Sequence, residues 1–311
     1  MTFFEFTKKF PTENAAIDYF VAIRYNDVIV CPHCGSTVKI YRHHQRPKYC
    51  NCNSCDNTFS IFTGTIFEHT KLDIRKWFYA VNIFLNDKKG VSACNLRREI
   101  GGTYRTSWRM LQQIRAAMGN DTSQLFNSLV EMDETYVGGK LRKDDRDAID
   151  KKITRYRGRG STQTPVVGVI ERETKQVHAQ VMNFNSIGQR LTGQQLYALV
   201  EATTVKGATV VTDGFRSYNI LDWDYDHRTV NHSKGQYVAQ DGSHTNNIEN
   251  FWSIVKRSYI GVYHKMSEKY LQRYINEACY RRNNRMNPDA FNLLLRQGIM
   301  AEANRAWMVN V

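Results

Sequence analysis

Apolar and polar positions along the chain change their period partway through. Between residues 72 and 118 the apolar ones recur at helical spacing: in LDIRKWFYAVNIFLN, Leu72, Trp77, Ala80, Ile83 and Phe84 come close to one face of a helix. SACNLRREIGG predicts a short helix ended by two glycines, and TYRTSWRMLQQIRAAMG predicts another that opens on a capping Thr and closes on Gly119. After GNDTSQ the alternation shortens to two residues. SLVEMDETYVGG, TPVVGVIER and KQVHAQVMN predict three strands, the last two joined by the turn RETK. A helix follows over GQQLYALVEATT, then a buried-type strand over GATVVTDGF, a fifth strand over HRTVNH and a long helix over NNIENFWSIVKRSYIGV. A short helix that ends on glycines before a helix carrying Arg105, Arg109 and Arg115 has the form of a helix-turn-helix. A three-helix bundle with a solvated basic face fits the same pattern.

Charge adds a partner to this outline. The 311 residues carry a formal charge of +13 with a pI near 9.4, and 41% of them are hydrophobic, enough for a real core. A polyanion, above all a nucleic acid, is the expected partner, with Arg105, Arg109, Arg115, Lys256 and Arg257 as candidate DNA contacts. The N-terminal stretch MTFFEFTKKFPTEN has no signal-peptide pattern and no run is apolar enough to span a bilayer, so a soluble cytoplasmic protein without a membrane partner is expected.

Five of the seven cysteines fall within residues 31–55. CPHC and CNSC, with 17 residues between them, have the spacing of two knuckles that share one tetrahedral zinc, so Cys31, Cys34, Cys52 and Cys55 are expected to hold structural Zn²⁺. Cys50 does not fit the same knuckle. His33, His43 and His44 read as surface residues.

Three strands, helix, strand, short helical connection, strand and helix is the order of a ribonuclease-H-like mixed α/β domain, in which the first and fourth strands are neighbours. Asp133 on the first strand and Asp213 at the end of the fourth would then lie side by side. Glu249, with 35 residues between it and Asp213, would come over them from the last helix. Converging carboxylates are a hard-oxygen site for Mg²⁺ or Mn²⁺, which bind phosphate oxygens and activate an attacking oxygen. Lys256, seven residues past Glu249, falls on the same helical face and could hold a phosphate, while Phe251 and Trp252 are expected to pack the helix onto the sheet.

Here the chain resembles the IS1595-type insertion-sequence transposases with an ISXO2-like domain. The motifs are NTFSIFTGTIFEHTKLDIRKWF, REIGGTYRTSWRMLQQIRAAM, EMDETYVGGK, VVTDGFRSY, NHSKG and SHTNNIENFWSIVKR, and the likeness runs from about residue 18 to about 290. It implies a DDE-type, Mg²⁺-dependent transposase that cuts at terminal inverted repeats and joins the freed 3′-OH to target DNA, as a homo-oligomer on DNA in a bacterial cytoplasm. Asp133, Asp213 and Glu249 match the three acidic positions and Lys256 the lysine that follows. Some relatives use Asn at the third position, which leaves Asn246, with His244 as a partner, beside Glu249; Asn250 is a further candidate. The implied division is a zinc ribbon with an N-terminal helix over 1–65, a helical DNA-binding segment over 66–120, the catalytic core over 121–290 and a tail over 291–311. The basic segment 140–161 reads as a DNA-gripping or a solvated loop. His232 reads as a loop cap or a neighbour of the metals, and the basic helix end NEACYRRNNR either touches phosphate or pairs Glu277 with Arg281. An inert DNA-binding regulator and a repair nuclease of the same fold are the competing readings.

Overall fold

The computed structural model describes residues 1–119, 125–138, 163–182, 191–230, 238 and 242–300. The expected loop over 140–161, His232 and the NHSKG motif lie outside these residues. Two compact units account for the chain: residues 1–120 with 287–311, and residues 121–286.

In the first unit α1 (Phe3–Lys9) and α2 (Glu13–Tyr25) precede a three-stranded antiparallel ribbon of β1 (Ile40–Arg42), β2 (Tyr49–Cys52) and β3 (Asn57–Ser60). Both helices begin at threonines, Thr2 and Thr12, whose hydroxyls accept first-turn N–H groups. Then come α3 (Ile74–Asn86), α4 (Ala93–Ile100) and α5 (Tyr104–Ala117), capped by Asp73, Ser92 and Thr103. Gly101 and Gly102 between α4 and α5 both take positive φ, 75° and 86°, which side chains resist, so the predicted two-glycine turn has a backbone reason. The core is aromatic: Phe20 lies edge-on to Phe62 at 4.8 Å, and Phe67 to Trp77 at 5.3 Å.

Residues 291–300, expected to open a tail, instead form most of α9 (Ala290–Met300) in this unit. Leu294, Leu295 and Ile299 supply a buried helical stripe, and Gly298 comes so close to Ile66 that a Cβ there would lie 2.7 Å from Ile66 Cδ1. Apolar spacing outweighed the position near the chain end.

The second unit is built on a five-stranded mixed sheet of β4 (Val130–Val137), β5 (Thr164–Glu171), β6 (Val177–Val181), β7 (Thr209–Asp213) and β8 (Asp226–Val230), in the order β6-β5-β4-β7-β8. The first three pair antiparallel, while β7 runs parallel to both β4 and β8. This is the ribonuclease-H-like order, with the first and fourth strands adjacent as expected. α6 (Gly193–Thr203) and a 3₁₀ helix (Arg216–Trp223) lie over one face, where Val130, Met132, Leu196 and Tyr218 share a core. α7 (Asn246–Ser258) and α8 (Leu271–Asn283) lie over the other, where Ile248, Phe251 and Trp252 meet Val166 and Ile170.

The helix predicted through residue 262 stops being α-helical at Ser258 and continues as a π-helical turn over Tyr259–Tyr263. Gly261, a poor helix former, sits in the loosened turn, and Ile260 is exposed.

The two-residue period of β4 puts Glu131, Asp133 and Thr135 on the α7 side and Val130, Met132 and Glu134 on the other. Asp133 pairs across β5 with Gly168, whose missing side chain lets Trp252 of α7 approach: a Cβ there would meet Trp252 Cζ2 at 2.7 Å. Gly168→Ala is therefore expected to destabilise the second unit by about 1–3 kcal/mol, read as a lower urea midpoint at unchanged slope. An unchanged midpoint would contradict this close approach.

Candidate active site and metal centre

Two knuckles build the cysteine site. Gly35 N–H donates to Cys31 O, and Cys31 N–H to Ser36 O, both at 2.9 Å, which folds the first knuckle; the second follows the end of β2. The four sulfurs of Cys31, Cys34, Cys52 and Cys55 lie within 4.8 Å of one another, with Cys31 and Cys55 at 3.8 Å and Cys34 and Cys52 at 3.7 Å. A tetrahedron with metal–sulfur bonds of about 2.3 Å has edges of about 3.8 Å, so the cluster fits zinc. Asn57 donates from its side chain to Cys55 Sγ at 3.5 Å and, with its backbone N–H, holds that thiol down to about 7, towards the ligating thiolate. Cys50 is buried in β2 opposite Phe59 and outside the cluster; His43 Nε2 shares a hydrogen bond with Asn51 Oδ1, and His33 and His44 are exposed.

At the other site, β4 and β7 pair in parallel through Glu131↔Val211. Two residues further along each strand stand Asp133, in the middle of β4, and Asp213, the last residue of β7, as neighbours. Phe215 N–H donates to Asp213 Oδ1 at 3.0 Å and so fixes the turn after β7. Glu249 is in the first turn of α7, exposed, and Thr245 Oγ1 donates to its Oε1 at 3.0 Å.

Burial, with the negative charges of Glu134, Asp213 and Glu249, pushes the Asp133 carboxyl up to about 8. Among the described residues only the cysteine cluster brings three or more ligand atoms of His, Cys, Asp or Glu within 4.8 Å of each other. The acidic trio is wider, which suits a small hard cation that keeps several of its waters. Hard oxygen donors and accumulated negative charge both fit Mg²⁺ or Mn²⁺.

The other predicted residues divide. Lys256 and Arg257 are exposed in the last turn of α7, and Arg105 and Arg109 are exposed on α5. Arg115 does not share their surface: it is 1% exposed, with its guanidinium 5.6 Å over the Phe84 ring, so the expected DNA contact is corrected to a core role. Packing explains this, because residues 110–115, more than a full turn of α5, are all buried in the body of the unit. His244 Nδ1 lies 3.3 Å from Glu131 Oε1. Asn246 is the exposed first residue of α7, and Asn250 accepts from Arg282 Nη1 at 3.4 Å. Arg281 pairs with Glu277 at 2.8 Å, the local alternative to a phosphate contact.

Sequence reasoning missed Glu131, Glu134 and Tyr218. Glu131, fully buried on β4, receives the side chains and backbone around the start of α7. Tyr218, also buried, donates from its hydroxyl to Glu134 Oε2 at 2.6 Å; burial and then the charges of Glu134 and Asp133 raise it well above the usual phenol range. The available signal was the strand period, which puts Glu131 on the same face as Asp133.

The chain is similar to known proteins. The family model of the ISXO2-like transposase domain matches residues 126–283, and that of a transposase zinc-ribbon domain matches residues 11–58. An uncharacterized protein in transposable element ISH50 of Halobacterium salinarum is 32% identical over 260 residues, 80% of this chain and 84% of that one. An uncharacterized transposase-like protein of Haemophilus influenzae is 30% identical over 90 residues, 29% of this chain and 71% of that one. Among solved structures, the Mos1 transposase paired-end complex with left transposon end aligns with a TM-score of 0.28 at 10% identity, over 74% of this chain and 81% of that chain. The Drosophila P element transposase strand transfer complex aligns with a TM-score of 0.28 at 11% identity, over 75% and 65%. No helix among the described residues is long and apolar enough to cross a membrane.

Stripping zinc with a strong chelator is expected to unfold the ribbon and lower the first thermal transition, because ligand binding and folding are coupled there; a melting curve unchanged by chelation would contradict the zinc assignment. Asp133 predicts a pH effect of definite sign. Its folded-state pKa of about 8 is above the unfolded carboxylate value, so its contribution to stability is full below about pH 4 and lost as pH rises towards 8. In zinc-loaded protein without Mg²⁺ or Mn²⁺, Asp133→Asn should melt higher than the parent at pH 8, and the gap should close towards pH 4. A gap independent of pH would contradict the charge crowding.

Proposed function

This chain belongs to the ISXO2-like family of IS1595 transposases, and on that premise we propose that it cuts DNA at the ends of its element and joins the freed 3′ ends to a target. The observation that carries the proposal is the pairing of β4 with β7, which sets Asp133 beside Asp213 within reach of the charge on Glu249. These three carboxylates would hold Mg²⁺ or Mn²⁺, which when bound activates the attacking oxygen and stabilises the leaving 3′ oxygen of a phosphodiester.

The chain's own residues do the rest. Asp133 and Asp213 supply oxygen donors from a rigid sheet, so the donors need not reorganise as charge develops. Glu249, oriented by the Thr245 hydroxyl, adds the third donor from α7. Lys256, on the Glu249 face of the same helix, holds a phosphate of the bound strand, with Arg257 beside it. Arg105 and Arg109 on α5, with Arg97 and Arg98 exposed on α4, grip the backbone of the transposon end as the positively charged part of a helix-turn-helix. The zinc ribbon gives the small N-terminal strands a stable framework for that contact. Because two transposon ends must meet at one target, the working unit is a homo-oligomer assembled on the terminal inverted repeats.

The test uses purified protein, Asp133→Asn and Asp213→Asn with DNA bearing the sequences that flank the gene, in Mg²⁺, scoring nicked and joined products. Each variant is expected to lose cleavage by at least about a hundredfold while binding the ends within about twofold of the parent. Full cleavage by either variant would overturn the assignment. Binding without cleavage by the parent, in Mg²⁺ and in Mn²⁺, would favour an inert DNA-binding regulator, and cleavage without joining would favour a nuclease.

A further inference from the structure

An α-helix starts with N–H groups that have no partner within the helix, and a Ser, Thr, Asp or Asn at the N-cap usually takes one of them. α7 departs from this. The side chain of its N-cap, Thr245, accepts no first-turn backbone N–H and instead donates its hydroxyl to Glu249 Oε1 at 3.0 Å. The first-turn donors go to another element: Asn247 N–H and Ile248 N–H donate to Glu131 Oε2 on β4, at 2.9 and 3.3 Å. Asn247 Nδ2 donates to the other oxygen of Glu131 at 2.7 Å, and Arg172 Nε to the same oxygen at 3.1 Å. Arg172 also donates from Nη2 to His244 O at 2.8 Å, which ties down the residue before the cap.

Glu131 has no exposed surface. A carboxylate tolerates such a place only when donors surround it, and here four hydrogen bonds do so, one of them from the Arg172 guanidinium. Their arrangement is specific. β4 carries Glu131 and Asp133 on one face, two residues apart, and the start of α7 is fastened to the first of them. The position of Glu249 relative to Asp133 is thereby set through Glu131, and the Thr245 hydroxyl, by its bond to Oε1, aims the Glu249 carboxylate.

We propose that Glu131 is a positioning residue for the catalytic centre: it caps α7 from β4 and, with Thr245, holds Glu249 at the separation from Asp133 and Asp213 that the divalent cations require. The proposal rests on the reading of these three carboxylates as the metal site. It places no catalytic contact on Glu131 itself, since that carboxylate is fully occupied by protein donors.

The effect should appear in the cation requirement and not in DNA binding. Full-length Glu131→Gln, Thr245→Val, Thr245→Ser and Asp133→Asn are compared with the parent, below the melting temperature of each, for end binding and for cleavage over a range of Mg²⁺ concentrations. Glu131→Gln keeps the shape but sets an amide N–H₂ against Asn247 or Arg172, and it should raise the Mg²⁺ concentration for half-maximal cleavage by about tenfold or more. Thr245→Val should raise it several-fold and Thr245→Ser, which restores the hydroxyl, should bring it back; end binding should stay within about twofold throughout. A lower melting temperature with a parental Mg²⁺ requirement in Glu131→Gln would show a structural role only and overturn the proposal. Should Glu131→Gln not fold, the threonine pair decides: a parental requirement in Thr245→Val overturns it. Asp133→Asn separates the two levels, because if it cleaves like the parent the metal-site reading itself fails. If it is inactive while Glu131→Gln and Thr245→Val keep the parental requirement, only the positioning role fails.

Discussion

Like charges brought together in a half-buried place repel, and in this protein the repulsion falls on Asp133. Its carboxyl is pushed up to about 8 by burial and by Glu134, Asp213 and Glu249. The fold of the second unit holds these groups in place against that cost. Parallel pairing of β4 with β7 sets the middle of β4 beside the end of β7, the Gly168 opening admits Trp252 so that α7 lies close on the sheet, and Glu131 fastens the start of that helix to β4. A divalent cation held there would convert the same crowding from a penalty into a binding force.

The first unit solves a different problem. Its three ribbon strands are three or four residues long and have little core of their own, so four sulfurs at tetrahedral spacing do what a core would do elsewhere. Below the ribbon, the aromatic cluster and α9 complete a body from which the α4 and α5 turn presents its exposed arginines. Arg115 belongs to that body. Its stem and guanidinium pack beside Phe84, while Arg105 and Arg109, on the earlier turns of the same helix, remain in water.

Much of this was legible in the residues because the signals were local or periodic. The doubled C-x2-C spacing, the two-residue period around Asp133, the glycine turn and the order of strands and helices each follow from short-range chemistry, and the strand order then brings Asp133 next to Asp213. What escaped was set by tertiary contact. Arginines spaced along α5 look alike in sequence, and only the packing of the helix separates Arg115 from the exposed pair. Residues 291–300 looked like a tail, although Leu294, Leu295 and Ile299 had the spacing of a docked helix. Glu131 was hidden for a similar reason: its partners are backbone N–H groups more than a hundred residues away, and no motif announces a carboxylate that caps a helix from another element. The α-helix predicted through residue 262 overlooked Gly261, where the helix loosens into a π turn.

As a divalent-cation site, Asp133 and Asp213 would have their charge crowding relieved by the ion. Calorimetric titration of Mn²⁺ into zinc-loaded protein at pH 7, in two buffers of different ionisation enthalpy, tests this most directly. The parent is expected to bind with release of about one proton, drawn from Asp133, and Asp133→Asn to lose both the binding and the proton release. Equal Mn²⁺ binding by the parent and Asp133→Asn, or none by the parent, would contradict this.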